Sequence, residues 1–478
     1  MSNWPRMRSL ILIWMGCALG GCAAPAGPPT VRPNLAPTTQ PTASLQIAEP
    51  VRPMYQRLLA IDLATAVRVA AARNLDIRLA RERVNASQGR LESSVGSIFP
   101  VIAPGIAFAH LEGANQASGG NLVFTNFNTL LPSVLIQTVL NPGAVVYDVI
   151  ASRKRLAASE QQEQSVRLET TRLSAIQYFD LVLAQTKVGA TRRALNDAQE
   201  LLRITQLRVK AGAGLHADEL RAQASLASRQ QDLTSAMNLF YQASVTLSLT
   251  LHLDPSVTLA PAPREVRQTT LVREDMSIEN LLALAVQWRP DLGALRSAVA
   301  AAQADQGVTA FTGLGPQFQG SYRGGILSAD SPGKKPDTTL YQPFHETQRA
   351  GAGVGFSLGL STFGQFKTGK ALERAAEIDV QRRLDKVRAD VIRAAQDSNA
   401  NAALIPAAQR EVTAAAEALR LAQTNFGAGT MLLIDVLQAE DAVEESRLRY
   451  ATAVARYNQS QINLLASLGL LDEKSLLQ

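Results

Sequence analysis

Two short segments of the chain share one pattern and lie 217 positions apart. The first reads Gly212-Ala-Gly-Leu-His-Ala-Asp218-Glu-Leu220, and the second reads Gly429-Thr-Met-Leu-Leu-Ile-Asp435-Val-Leu437. A seven-residue apolar spacing, which is typical of coiled-coil-like helices, flanks both motifs. At the same offset the apolar residues pair as Leu195 with Val412, Leu202 with Leu419, Val209 with Phe426, Leu226 with Val443, Leu233 with Tyr450, Phe240 with Tyr457 and Leu247 with Leu464. The chain therefore contains a duplicated pair of long helices.

Each motif marks the turn between the two helices of a hairpin. Glycine suits the tight, left-handed backbone where one helix ends and the next begins, and Leu220 and Leu437 return to the helical packing. At ~1.5 Å per residue the first helix is about 100 Å long. The predicted helices cover residues 144–209 and 217–251 in the first repeat, and 365–426 and 433–470 in the second.

A shorter helix and two strands precede each hairpin. Asp62 and Ser277 are plausible N-caps for helices over 63–93 and 278–306, and Pro290 is expected to kink the second helix. The predicted strands cover 99–111 and 131–140 in the first repeat, with a loop near 112–130. In the second repeat they cover 315–327 and 348–361, with a loop near 328–347.

The last strand has the clearest pattern. Val354, Phe356, Leu358 and Leu360 alternate with glycine and serine as far as Ser361. This alternation is typical of a barrel strand with lipid on one side and a lumen on the other, although a half-buried strand of a soluble protein can also show it. Four such strands cannot close a barrel alone. Two copies would give a filled interior, whereas three copies would leave a passage.

The N-terminus resembles an export signal. Arg6 and Arg8 precede an apolar run over 10–19, and Gly20-Gly21-Cys22 follows. This ending resembles the bacterial lipobox, which implies cleavage of residues 1–21 and acylation of Cys22; a plain signal peptide is the alternative. By the same resemblance Ala23, which is not acidic, favours the outer membrane. The proline-rich segment 22–56 is expected to be an extended tether.

The rest of the composition excludes several function classes. The formal net charge is only +6 without Lys/Arg clusters, so nucleic-acid binding is not expected. The four histidines lack metal-ligand spacing, and no phosphate motif is present, so we expect no cofactor and no metal. Gly355-Phe-Ser357-Leu-Gly359 fits a nucleophile elbow, but no histidine follows it and the strand pattern continues. The protein is therefore not expected to be an enzyme.

The duplicated motifs and strands resemble the TolC-type outer-membrane efflux proteins. The resemblance covers about residues 57–471 and extends to the boundaries at Leu140-Asn-Pro-Gly143 and Phe363-Gly364. It implies a mainly α-helical homotrimer in which four transmembrane strands per chain form a twelve-stranded barrel above a periplasmic α-barrel. The implied segments are 57–260 and 276–471 for the two repeats, 261–275 for a linker and 472–478 for a tail.

The resemblance also assigns residues to the periplasmic mouth. Asp435 matches an aspartate that narrows the pore, while Gln438, Phe426 and Met431 replace the family's second aspartate, tyrosine and arginine. We therefore expect a weaker or apolar latch. On physical grounds Asp435 could equally cap its own helix, and Asp218 is expected only to cap. The hairpin-tip residues expected to contact an adaptor are Gly212, Leu215, His216, Asp218, Gly429 and Thr430.

The predicted function is a passive exit duct for small molecules or toxic compounds. By the resemblance it would work with a periplasmic adaptor and an inner-membrane pump, anchored to outer-membrane lipid. One alternative is the outer-membrane duct of a type I protein secretion system. Another, from a different class, is a periplasmic coiled-coil adaptor or scaffold lipoprotein without a pore. The sequence names neither the substrate nor the pump.

Overall fold

The computed structural model describes residues 44–46, 58–116, 119–262, 265–273, 275–330, 344–356 and 359–476. The predicted signal peptide, Cys22 and most of the tether lie outside these residues. The chain divides into two compact units. One unit holds Val84–Ser159 and Leu295–Asp379, and the other holds residues 58–83, Glu160–Ala294 and 380–476. Among the described helices, none is long and apolar enough to cross a membrane.

The elements differ widely in length, from a strand of 3 residues to a helix of 69 residues. In chain order they are β1 (Ser44–Gln46), β2 (Leu58–Ile61), α1 (Leu63–Arg73), α2 (Leu75–Gly96), β3 (Val101–Gln116), β4 (Leu122–Leu140), α3 (Pro142–Lys210), α4 (His216–Thr250), β5 (Thr258–Pro261), β6 (Glu265–Arg267), α5 (Ile278–Trp288), α6 (Pro290–Leu314), β7 (Pro316–Asp330), β8 (His345–Phe356), α7 (Ser361–Gly427) and α8 (Leu433–Ser467). The fold is thus mainly helical, with a two-fold repeat of helices, strand pair and long hairpin, as predicted.

The first unit contains a four-stranded antiparallel sheet in the order β3-β4-β7-β8. The loop predicted near 112–130 is wrong, because β3 and β4 continue through most of it. Its polar residues occupy strand positions, where Glu112 pairs with Asn126 and His110 with Asn128. The last strand also differs from the prediction, since β8 ends at Phe356 and a helix begins at Ser361.

The two faces of this sheet differ in chemistry. Even-numbered residues share one face because cross-strand partners have the same parity, for example Ile106 with Pro132 and Tyr322 with Ala350. This face is apolar over most of its length and includes Ile102, Ile106, Phe108, Val134, Ile136, Phe318, Tyr322, Val354 and Phe356. The odd-numbered face is mostly small or polar on β7 and β8, for example at Gln319, Ser321 and Gly353, whereas β4 also places large apolar residues there, among them Phe127, Leu131, Leu135 and Val139. The alternation predicted for the last strand therefore extends to β7, while β4 is apolar on both faces.

Aromatic rings pack closely where the strands give way to helices. The rings of Tyr147 and Phe311 stack with centroids 5.6 Å apart. A Cβ at Gly143 would lie 2.0 Å from the Phe311 ring, and one at Gly307 would lie 2.3 Å from the Tyr147 ring. Both glycines are required because the rings occupy the space that a side chain would need.

The short helices that precede each strand pair are broken rather than continuous. Asp62 and Ser277 cap them as predicted, accepting bonds from the backbone N–H groups of Thr65 (2.7 Å) and Asn280 (3.3 Å). The single helix predicted over 63–93 is wrong, since Asn74 ends α1 and its side chain caps α2. In the second repeat Pro290 starts a new helix instead of kinking one, because proline at the first helical position loses no hydrogen bond.

Each break is bonded to the end of the long hairpin of its own repeat. The Asn74 side-chain amide donates to the carbonyl of Thr250, the last residue of α4 (3.0 Å). In the second repeat the Arg289 guanidinium donates to the carbonyl of Ser467, the last residue of α8 (3.4 Å). These carbonyls have no partner within their helices, so two different side chains perform the same task in the two repeats.

The core of the second unit follows the predicted seven-residue stripe. Phe240, Leu247, Tyr457 and Leu464 are all buried in one cluster with the short helices. Many of the remaining core positions are alanine or serine, which let the helices approach closely. The heptad prediction therefore identified the core-facing side of the hairpins.

The two hairpins leave their second helices through equivalent turns with different residues. His252 and Gly469 lie 217 positions apart, and both have left-handed backbones, with φ of 52° and 75°. A Cβ at Gly469 would lie 2.8 Å from Arg289 Cα and from the Trp288 carbonyl oxygen. Only glycine fits there, whereas the first repeat accommodates a histidine.

Candidate functional site

The tips of the two hairpins are built by the same backbone turn. Gly212 and Gly429 have φ of 75° and 80°. At the first tip the N–H groups of Gly212 and Ala213 donate to the carbonyls of Val209 (3.0 Å) and Arg208 (2.9 Å). The equivalent bonds at the second tip are both 3.0 Å. This paired arrangement is a Schellman motif, which satisfies the last carbonyls of a helix and explains the glycine in each motif.

The two motif aspartates act differently. The Asp435 carboxylate accepts a bond from the N–H of Leu432 (3.3 Å), while the Asp435 N–H donates to the Leu432 carbonyl (3.2 Å). Asp435 therefore caps its own helix, as one of the two readings of the sequence predicts. The cap expected from Asp218 is replaced by an ion pair on the same helix, because its carboxylate accepts from Arg221 (3.1 Å).

Phe426 and Met431 belong to an apolar cluster at the tips. Phe426 is 7% exposed and lies in one cluster with Leu201, Leu433 and Val436, against which the half-buried Met431 packs. The cluster joins residues of both hairpins. Contact between these side chains is apolar, while the latch itself stays a prediction.

Arg208 links the two tips and was not identified from the sequence. Its guanidinium donates to the Phe426 carbonyl and lies 4.6 Å from the centroid of the Phe426 ring. A cation near the C-terminus of α7 is favourable because the last carbonyls of a helix carry partial negative charge. The only signal in the sequence was that Arg208 lies in the last turn of α3, just before Gly212. The carbonyl that it contacts belongs to Phe426, 218 residues further along the chain.

The outermost surface of both tips is apolar and exposed. Leu215 and Leu432, which are equivalent in the two repeats, are 68% and 70% exposed. His216 is also exposed, and its Nδ1 lies 3.3 Å from Glu219 Oε2. Gly212, Gly429, Thr430 and Gln438 are exposed as well. Leu432 was missed from the sequence, although its offset from Leu215 points to it.

A buried carboxyl group lies one to two turns from the second tip. Glu440 is 8% exposed. Burial, and then the negative charge of Asp197, raise its pKa from 4.5 to about 7, although Arg229 acts in the opposite direction. Arg229 itself donates to Glu444 (2.8 Å) and to Asp441, and so connects the first hairpin to the second.

Together, the sheet with one apolar face and the paired helical hairpins form a fold that solved outer-membrane channels share. Residues 281–470 match the model of the family "Outer membrane efflux protein". The resemblance to TolC-type outer-membrane efflux proteins, predicted from the duplicated hairpin motifs, is confirmed.

Several solved structures have the same fold along nearly their whole length. The outer-membrane channel OprN superposes with a TM-score of 0.71 at 20% identity, covering 92% of this chain and 98% of OprN. The CmeC outer membrane channel of Campylobacter jejuni gives 0.72 at 17% identity, covering 93% and 97%. The MtrE outer membrane channel of Neisseria gonorrhoeae gives 0.69 at 17%, covering 91% and 98%. No curated protein sequence matches this chain.

Proposed function

We propose that this protein is the outer-membrane channel subunit of a tripartite efflux system, a passive exit duct for small molecules or toxic compounds. The observation that carries the proposal is the sheet β3-β4-β7-β8, which has one apolar face, a second face that is mostly small or polar on β7 and β8, and two edges with no partner strand in the described part of the chain. Unpaired backbone groups are not tolerated in lipid, so a sheet of this kind spans a membrane only within a closed barrel.

Closure requires further copies of the chain. Pairing of β8 with β3 of the next copy satisfies both edges in a ring. Two copies give eight strands, whose interior is filled by side chains, whereas three give twelve strands and leave room for a water path. We therefore propose a homotrimer in which the odd-numbered face lines the lumen.

The hairpin tips are the surface proposed to dock a periplasmic adaptor. Leu215 and Leu432 are large apolar side chains that the chain itself leaves exposed, and His216 and Thr430 lie beside them. Exposed apolar groups rimmed by polar ones are typical of protein-binding surfaces. An inner-membrane pump, reached through the adaptor, would supply the energy.

Two proposals concern single residues. Acylation of Cys22 would anchor the chain to the outer membrane, and Cys22→Ser should remove the lipid mass while the barrel still inserts.

Asp435, with Gln438 beside it, is proposed to line the periplasmic mouth in addition to capping α8. Asp435→Ala should then change cation block of the resting channel; an unchanged block would leave Asp435 with capping alone.

The central test is purification in detergent, followed by mass measurement and planar-bilayer conductance. We expect a trimeric mass and ion-conducting channels. A monomer that never conducts would overturn the proposal.

A further inference from the structure

The lumen-facing side of the sheet carries charge of one sign. Among the described strands, its formally charged residues are Arg323 of β7 and Arg349 of β8. No aspartate or glutamate occupies an odd-numbered position of β3, β4, β7 or β8; the acidic residues Glu112, Asp330 and Glu346 occupy even-numbered positions. The charge on this face is therefore uncompensated within the described sheet.

The two arginines lie directly opposite each other. They are cross-strand partners in the antiparallel pair of β7 and β8, a position in which side chains are close and like charges are unfavourable. Both are exposed, and no hydrogen bond or ion pair joins either side chain to another described residue. A local conflict of this kind is expected where function, rather than stability, selects the residues.

Along β7 and β8 the neighbours of the two arginines on this face are small, while Leu135 of β4 lies beside Arg323. On the same face Ser321 pairs with Gly351, and Gln319 pairs with Gly353. A Cβ at Gly351 would meet only the Ser321 hydroxyl, at 3.5 Å, and a Cβ at Gly353 would meet nothing within 4 Å.

A neighbouring copy of the chain does not supply the missing acid from its adjacent strand. In the proposed trimer the edge strand β8 lies beside β3 of the next copy. The odd-numbered residues of β3 are Val101, Ala103, Gly105, Ala107, Ala109, Leu111, Gly113 and Asn115, none of them charged. A shift of the pairing by two residues leaves this composition unchanged. The positive charge thus faces the water path.

We infer that Arg323 and Arg349 form a cationic ring inside the barrel, which makes this section of the duct selective for anionic solutes. The inference rests on the proposed function, because three copies are needed to place six guanidinium groups around one lumen. Three-fold symmetry puts the three copies of each arginine at the same depth. Arg323 is central in the 15-residue strand β7, so the ring lies within the spanning section. Rings of arginine or lysine characterise anion-conducting pores.

The test compares ion selectivity of the full-length trimer in planar bilayers under a KCl gradient. The wild-type protein is expected to favour Cl⁻ over K⁺, and the variant Arg323→Gln/Arg349→Gln to lower this permeability ratio by about threefold or more. The matched control, Arg323→Lys/Arg349→Lys, keeps the charge and should keep the ratio. The difference between wild type and the glutamine variant should also shrink between about 0.01 M and 1 M salt, because the Debye length falls from about 30 Å to about 3 Å.

The outcomes separate this inference from the proposed function. A wild-type channel that conducts, with a glutamine variant of the same selectivity, overturns the cationic ring and leaves the duct intact. A wild-type protein that neither trimerises nor conducts overturns the duct, and with it the ring. Loss of selectivity in the lysine variant as well would show that side-chain shape, not charge, determines it, and would also overturn the inference.

Discussion

The two hairpin tips share one backbone and differ in the side chains that stabilise it. Both turn through a Schellman motif at a left-handed glycine, Gly212 or Gly429. The second tip adds a capping carboxylate and a buried aromatic ring, whereas the first tip provides an ion pair on its own surface and the arginine that contacts that ring. Duplication has thus preserved the turn while the two copies acquired complementary parts of one contact.

The largest difference is expected at the aromatic position. Phe426→Ala should destabilise the second tip by about 3 kcal/mol, because it opens a cavity in the tip cluster and removes the ring beneath Arg208. Val209→Ala, the equivalent change in the first repeat, should cost only about 1 kcal/mol, since Val209 is half-buried. Hydrogen exchange of the amides around the two glycines measures both. Equal effects would mean that the tips are stabilised alike.

The turns at the other end of the hairpins should respond unequally to alanine. Gly469→Ala is expected to cost about 2 kcal/mol, because its Cβ would meet the backbone of Arg289 and Trp288 at 2.8 Å. His252→Ala should change stability by less than about 1 kcal/mol, as position 252 already carries a Cβ in the left-handed region. Thermal unfolding of the purified protein compares the two variants. A tolerated Gly469→Ala would mean that this turn can move.

The buried carboxyl group should make one hairpin pH-sensitive. Position 440 is glutamate where the first repeat has Gln223. The native pKa of Glu440 is raised from 4.5 to about 7, so the native state binds a proton more tightly than the unfolded chain. Its contribution to stability is therefore present at low pH and is lost as the pH rises from 4.5 to about 7.

The change Glu440→Gln makes the second repeat resemble the first. It should remove a pH-dependent difference on the order of 1 kcal/mol, measured as melting temperature across this pH range. Gln223→Ala, which changes a side chain without introducing a titrating group, is the control and should leave the pH dependence intact. A pH profile that is the same in Glu440→Gln and wild type would contradict the assignment.

The smallest difference is expected between the motif aspartates. Asp435→Ala should weaken the start of α8 by about 1 kcal/mol, because it removes a capping bond. Asp218→Ala should cost about 0.3 kcal/mol, the usual contribution of an exposed ion pair within a helix. Amide exchange in the first turns of α4 and α8 separates them. A larger effect of Asp218→Ala than of Asp435→Ala would mean that Asp218, and not Asp435, is the capping residue.

The hairpins could be predicted closely because their signals are local. The seven-residue stripe and the glycine turns located the ends of the long helices to within a few residues, and Asp62 and Ser277 were recognised as caps. Strand ends were less predictable, since Asn126 and Asn128 resemble loop residues until their partners on β3 are known. The helix break at Asn74 was missed because its amide bonds to Thr250, far along the chain.

The residues of the candidate site show the same difference between local signals and long-range contacts. Phe426, Met431 and Asp435 were selected by resemblance, and the structure gives them packing and capping contacts, while their role in a pore remains a proposal. Arg208 could not be found from the sequence, because its contact depends on how two distant hairpins meet.

The bonds from Asn74 to Thr250 and from Arg289 to Ser467 have a consequence for how the protein matures. Each repeat closes its own long-range loop, so the N-terminal half can secure its hairpin before the C-terminal half has been synthesised. The sheet behaves differently, because β4 must pair with β7 across the repeats. Helical scaffolding can therefore form early in each half, while the four-stranded sheet has to wait until β7 has been synthesised.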